Sequence, residues 1–302
     1  MKKINLLLSH KNWNSFNNYW IVNTLEKYFN IIFVEENPTF SKSDTIVVFG
    51  AGGSDWIKPF QEQNYKIITE QLWNSGPVEV FPGSMLLTNK NWFWYSESLY
   101  YRAVGHDQYI PDKKYRKLAL MPLWNSRLHK DMLYEQLVDM LDYLLYSYVE
   151  KGIDLPNDNV YSSSRFNYFN PSWYDDTAFS IVAETRVDSE YFFISEKTFK
   201  PIAFYHPFVI LGPLGILKYL RSIGFETYEN LFDESYDDES DLVLRVKKIV
   251  ANVKNYKQLP YNKVVLDKLQ HNHNLFFNAD KVNNLLVSEV IIPINEFFET
   301  KQ

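Results

Sequence analysis

Residues 194–212 read ISEKTFKPIAFYHPFVILG, a charged, proline-bearing segment followed by an apolar run that ends in glycine. Just upstream, AFSIVAET (178–185) has the continuous apolar, β-branched character of a strand buried on both faces. Between it and HPFVILG (206–212) there is room for one helix, so the three segments make a strand, a crossover and a parallel strand. Sheets of this kind bind ligands at the carboxyl ends of their strands, where Glu196 and Lys197 fall. A helix starting directly after Ser195 would put Pro201 in its second turn, at a cost of about 3 kcal/mol from a missing N–H and a ring clash. The expected N-cap is therefore Thr198 or Lys200, with Pro201 in the first turn. Unpaired amides and the positive end of that helix suit a diphosphate. Lys197 would add a full charge, and Glu196 would accept hydrogen bonds from ribose or sugar hydroxyls.

The same alternation extends in both directions. INLLLS (4–9), IIFVEE (31–36), DTIVVFG (44–50) and YKIITEQ (65–71) read as strands, and NNYWIVNTLEKYF (17–29) has apolar residues at helical spacing. The stretch from 116 to 152 reads as a strand, a polar junction and one long helix ended by Gly152. LGILKYLRSIG (214–224) is a helix closed by Gly224, and two amphipathic helices follow within 238–253 and 264–277. The expected domains are 1–118 and 119–302, with the C-terminal helices available to pack back on the first.

A chain of 302 residues with 46% hydrophobic and 23% charged residues is globular and long enough for two domains. Its formal charge of -6 argues against a surface built to hold nucleic-acid phosphates, so DNA is a disfavoured partner. The absence of cysteine excludes disulfides and thiolate metal sites. Apolar runs such as FVILG and TIVVFG fall far short of the ~20 residues that span a bilayer. MKKINLLLSH reads as a first strand rather than a signal peptide, which implies a cytoplasmic protein, in a host cytoplasm if the chain is viral.

Several constellations compete with the junction at 196–197. GAGGSDW (50–56) follows a strand but has neither the P-loop nor the dinucleotide glycine spacing. It reads as a close-approach loop that offers Asp55 as a general base, and Glu70 ends the next strand as a second candidate. LFDESYDDESDL (231–242) holds six acids and reads as a solvated helix start. His271 and His273, two apart, point to different faces of a helix, and His206 sits at a helix end where a positive ring would meet the dipole. No metal site is expected.

The segment 179–212 resembles the donor-binding signature of the α1,3-fucosyltransferases and of related glycosyltransferase-like proteins of bacteriophages and large viruses. FSIVAET supplies Glu184, with Thr185 where that family has Asn. FFISEKTF supplies Glu196 and Lys197, with Ser195 in place of Thr, and HPFVILG supplies the strand and Gly212. The phage and viral group shares SEKTFKPIA and the later LKYLRSIGF. Upstream, WNSRLHKDMLYEQL (124–137) is similar to the family's block of Asn, Arg and a helix, with Arg127 matching a donor-phosphate arginine. Lys130 stands one turn further on, at a junction where a guanidinium suits phosphate.

What the resemblance implies is an α/β, GT-B-like chain of two Rossmann-like domains whose parallel sheets face each other across a cleft. The donor would be a GDP- or UDP-sugar, held by Arg127, Lys130, Glu184, Glu196 and Lys197, and the acceptor a glycan or a modified nucleobase. Inversion at the sugar and independence of metal follow from it too, since no strict Asp-x-Asp occurs. A viral hydroxymethyl-pyrimidine DNA glycosyltransferase and a non-catalytic sugar-nucleotide-binding or assembly module are the alternatives.

Overall fold

The structure is a computed structural model that describes residues 4–9, 23–34, 45–50, 54–70, 83–88, 90–155, 170–188, 192–257 and 260–300. The chain forms two compact units, residues 1–100 with 279–302, and residues 101–278. These limits differ from the expected division at 118, although the second sheet opens beside it at Lys117.

In the first unit, β1 (Asn5–Ser9), β2 (Asn30–Val34), β3 (Thr45–Gly50), β4 (Lys66–Glu70) and β5 (Met85–Leu87) form one sheet in the order β2-β1-β3-β4-β5. Every pairing is parallel. The strands read from the sequence are these strands, and β5, only three residues long, is the one it did not show. Helix α1 (Ser54–Glu62) follows β3, and its Ile57 and Phe60 pack with Leu7, Val47, Tyr65 and Ile67. Helix α2 (Trp92–Ala103) comes next. The loop at 51–53 and residues 17–22 of the helix expected at 17–29 lie outside the described residues, and of the remainder residues 23–25 are helical.

The second unit carries β6 (Lys117–Leu123), helix α3 (Leu128–Gln136), β7 (Leu144–Tyr148), a short helix α4 (Pro171–Asp176) and β8 (Thr177–Ala183). Helix α5 (Glu196–Ala203), β9 (Phe208–Leu211) and helix α6 (Ile216–Ser222) complete the sheet layer. The sheet order is β7-β6-β8-β9, again parallel throughout. Every residue of β8 is buried, as its unbroken apolar sequence requires. Helices α7 (Leu242–Asn255) and α8 (Lys263–Phe276) follow, capped by Asp241 and Asn262.

One expected helix is corrected. The run 128–152 is not a single helix: α3 stops at Gln136, a 3-10 segment covers Val138–Tyr143, and LLYSY becomes edge strand β7. A short apolar run fits either period, and here the open edge of β6 decides it. Gly152 does adopt a left-handed conformation, with φ 75°, but it ends the turn after β7.

The last helices, α9 (Ala279–Leu286) and α10 (Ile292–Glu299), belong with the first unit. Between them Val287–Ile291 forms a π turn, which accommodates the absent N–H of Pro293 at the start of α10. Lys66 in β4 donates to the carbonyls of Phe297, at 2.8 Å, and of Phe298, closing the end of α10 with a cation.

Histidine 206 is structural, as expected, but neutral rather than positive. It is fully buried; its Nε2 donates to the Thr177 carbonyl at 2.9 Å and its Nδ1 accepts from Ser180 Oγ at 2.7 Å. Burial drives its pKa well below the ordinary value, with Lys113 adding to the shift. The acidic run 233–241 also does more than face water. Asp233 and Asp241 cap the helical segments that follow them, and buried Asp237 accepts the amides of Leu217 and Lys218 at the start of α6.

Candidate functional site

The chain order reverses between β6 and β8: from β6 it moves outward to β7 and then returns to the other side of β6 as β8. Such a reversal opens a crevice at the strand carboxyl ends. The loop after β6 carries Arg127, and the loop after β8 carries Glu184 and Thr185.

Helix α5 starts earlier than expected. Ser195, not Thr198 or Lys200, is the N-cap, its Oγ accepting from the Lys197 amide at 3.3 Å, and Pro201 lies in the second turn. The cost of the proline is met by tertiary structure. Residues 198–203 are all buried, and the end of the helix closes with the His206 amide on the Pro201 carbonyl at 2.9 Å. Tyr205 takes the left-handed position of that closing turn, φ 51°, where glycine is usual. Its ring stacks on His273 at 4.0 Å.

Glu184 organises this junction. It has no exposed surface, and its carboxylate accepts from the Ser195 amide at 3.1 Å, Ser195 Oγ at 2.5 Å, Thr198 Oγ1 at 2.6 Å and the Thr185 amide at 3.3 Å. Both oxygens are thereby occupied from within the protein, so the carboxylate turns toward the helix start rather than outward to a sugar. The amides that begin α5 are taken as well: that of Ser195 by Glu184 and that of Lys197 by Ser195. The anion cradle expected from that helix end is closed.

Helix α3 presents the open end instead. Arg127 is its N-cap residue, with an extended backbone, an exposed side chain and no side-chain cap. Among the described residues its guanidinium has no hydrogen bond or ion pair, and the amides of Leu128 and His129 have no partner. The loop is pinned from behind. Asp131 accepts from Ser126 Oγ at 2.6 Å, from Tyr148 OH at 2.5 Å and pairs with Lys151 at 3.0 Å, bonds that hold its carboxyl down at about 2.

The other sequence-expected side chains of this unit meet here. Lys197 Nζ reaches Glu196 Oε1 at 2.9 Å, Ser195 Oγ at 3.2 Å and Thr185 Oγ1 at 3.3 Å. Burial would raise the Glu196 carboxyl, but Lys197 and Lys200 outweigh it and hold it below the usual range. Burial would likewise lower Lys197, yet Glu196 and Glu184 raise it against opposition from Arg127. Lys130 is 3% exposed, and burial pushes its ammonium down to about 8, with Lys197 and Arg127 adding to the shift and Glu184 and Glu196 opposing it. Arg127, Lys130, Glu184, Glu196 and Lys197 therefore lie within one another's electrostatic reach.

Asp55 is the second residue of α1 and Glu70 the last of β4, in the other unit, and their side chains lie outside the described residues.

Three further residues serve the site, of which His129 and Arg245 had not stood out in the sequence. His129 Nε2 donates to the Glu184 carbonyl at 2.9 Å, tying α3 to the end of β8; burial, aided by Lys130 and Arg127, keeps it neutral with a pKa of about 4. Arg245 in α7 donates to the carbonyls of Gly212, Val187 and Glu239, fixing the loops after β8 and β9. Ser195, standing just before a charged first turn, did carry an N-cap signal. A Cβ at Gly212 would come within 2.9 Å of Ile216 Cδ1 and 3.4 Å of Glu184 Cγ, so a larger residue there would have to displace the Ile216 side chain.

No protein-family model matches the chain, and no curated protein matches it in sequence. Solved structures do share its fold. A crystal structure of α1,3-fucosyltransferase aligns with a TM-score of 0.52 at 12% identity, covering 99% of this chain and 91% of that one. A crystal structure of α1,3-fucosyltransferase with GDP-fucose gives a TM-score of 0.51 at 11% identity, with the same coverage of 99% and 91%. The two parallel-sheet units are thus the α/β fold, GT-B in type, that the sequence resemblance implied.

Proposed function

We propose that this chain is a glycosyltransferase that moves a sugar from a nucleoside diphosphate sugar to an acceptor hydroxyl, with inversion and without an essential metal. The observation that carries the reading is the convergence of Arg127, Lys130 and Lys197 at the β6/β8 reversal, beside the open N-terminus of α3. The fold shared with a fucosyltransferase crystallised with GDP-fucose supports it, and makes a GDP-sugar the first donor to try.

In this reading a base takes the acceptor proton as the acceptor oxygen bonds to the anomeric carbon. The bond from that carbon to the diphosphate oxygen breaks, and its electron pair leaves with the diphosphate. Preorganised cations at the oxygen where charge develops supply the largest catalytic term. Lys197 and Arg127 take that place, Lys130 supports them, and Glu196 accepts from ribose or sugar hydroxyls. Glu184 positions the Glu196–Lys197 pair from below. The base is assigned to Asp55 or Glu70.

The test begins with a thermal-shift screen of UDP, GDP, ADP, CMP and their sugars, followed by Lys197→Ala. A nucleoside diphosphate or its sugar should raise the melting temperature. Lys197→Ala should weaken that ligand roughly 10- to 100-fold, as expected for a charged hydrogen bond worth about 1.5–3 kcal/mol, while the chain stays folded. An unchanged affinity and turnover in Lys197→Ala would remove the donor site from this junction.

A further inference from the structure

Lys130 is the buried member of the cation group whose charge the fold leaves uncompensated; Arg127 also has no partner among the described residues, but it is exposed. The Lys130 side chain is 3% exposed, yet among the described residues its ammonium has no hydrogen-bond or ion-pair partner. A buried ammonium ordinarily finds such a partner, because desolvation is otherwise unrepaid. Lys197, by comparison, holds three oxygen contacts. We propose that Lys130 is the proton-linked part of the anion receptor, so that binding a nucleoside diphosphate sugar at this site takes up a proton onto its neutral side-chain amine, converting it to the ammonium. This rests on the donor-site reading above and adds a regulation to it.

The groups facing Lys130 are known from each packed element. On its own helix are Arg127 and His129, with Asp131 next in sequence; from the end of β8 comes Glu184, and from α5 Glu196 and Lys197, with Lys200 acting on Glu196. On α7, which packs against α3, Arg245 is turned to backbone carbonyls. In the empty site three cations, Arg127, Lys130 and Lys197, face two carboxylates, Glu184 and Glu196, and like-charge repulsion adds to burial in favouring loss of the Lys130 proton. A diphosphate brings the acceptors that Lys130 lacks, so the charged form is stabilised when the site fills.

Protonation of Lys130 in the empty site falls off around pH 8. Its titrating neighbours are held away from that window: Glu196 is lowered, Lys197 raised, His129 lies at about 4 and Asp131 at about 2. Binding raises the pKa of Lys130, so the affinity it contributes is complete below the empty-site value and declines as pH rises through it.

Isothermal titration of GDP-fucose into the full chain, in buffers of differing ionisation enthalpy at pH 8, reads this directly, because the sugar-linked diphosphate does not itself titrate there. The wild type should take up roughly half a proton per ligand, and its affinity should be about tenfold weaker at pH 9 than at pH 7. Lys130→Arg should bind without uptake and with a flat profile, since a guanidinium stays charged throughout the range. Lys130→Gln gives the same readout if arginine disturbs the packing. Binding by the wild type without proton uptake, or uptake that persists in both variants, overturns the inference alone. Absence of binding by GDP-fucose and by UDP-glucose overturns the donor-site reading together with it.

Discussion

Glu184 and Glu196 stand twelve positions apart as two acids of one signature, yet the fold gives them opposite tasks. Glu184 accepts four hydrogen bonds from the start of α5 and the loop after β8, while Glu196 pairs with Lys197 in the cation group. In Glu184→Gln the amide nitrogen must face a backbone N–H in either orientation, that of Ser195 or that of Thr185. A buried donor left without an acceptor costs about 1–3 kcal/mol, and urea unfolding should show a loss of that size. A variant as stable as the wild type would mean that the carboxylate is not the organiser it is taken for. The sequence supplied both acids and the three cations near them, Arg127, Lys130 and Lys197. It did not separate contact from support, because the donors that saturate Glu184 lie eleven and fourteen residues away, across a loop whose course no local spacing specifies. His129 was hidden for a similar reason: a lone histidine in a helix shows nothing of the carbonyl it will meet on another strand.

Helix α5 shows how a local rule yields to its surroundings. Proline in a second turn is unfavourable by about 3 kcal/mol when the helix stands alone, which is why a later start was expected. Here the Ser195 cap, the Glu184 bonds and the burial of Thr198, Phe199, Ile202 and Ala203 together outweigh it. Ser195→Ala removes both the cap and one donor to Glu184, and should destabilise by about 1–2 kcal/mol in thermal or urea unfolding. Ser195→Thr keeps the hydroxyl and should lose less than half as much; a Ser195→Ala variant as stable as the wild type would show that the oxygen does not hold the junction. Strand β7 is the converse case. Its sequence suits helix or strand equally, and only the unpaired edge of β6 selects between them.

Four histidines of the second unit, His106, His129, His206 and His273, are buried and shifted below the ordinary histidine value by that burial. An unfolded chain binds protons at these rings near pH 6.5, whereas in the folded unit His129 and His273 resist protonation until about 4. Stability is therefore present above pH 6.5 and drains away as the pH falls toward 4. Each of these two rings should account for roughly 2 kcal/mol of loss between pH 7 and pH 5, and urea unfolding monitored at both values checks it. A stability that is level across this interval would contradict neutral buried rings. Both parallel sheets were legible at this scale, since INLLLS, DTIVVFG and AFSIVAET are too apolar for anything but doubly covered strands. The assignment of the C-terminal helices was left open, because the grip of Lys66 on the carbonyls of Phe297 and Phe298 spans more than 230 residues. That discontinuity bears on how the polypeptide matures. A ribosome delivers residues 101–278 as an unbroken run, whereas the first unit must wait for its closing helices until the whole of the second unit has been made. During that interval its nascent sheet is the surface a chaperone would meet, and the order of assembly runs from the middle of the polypeptide outward.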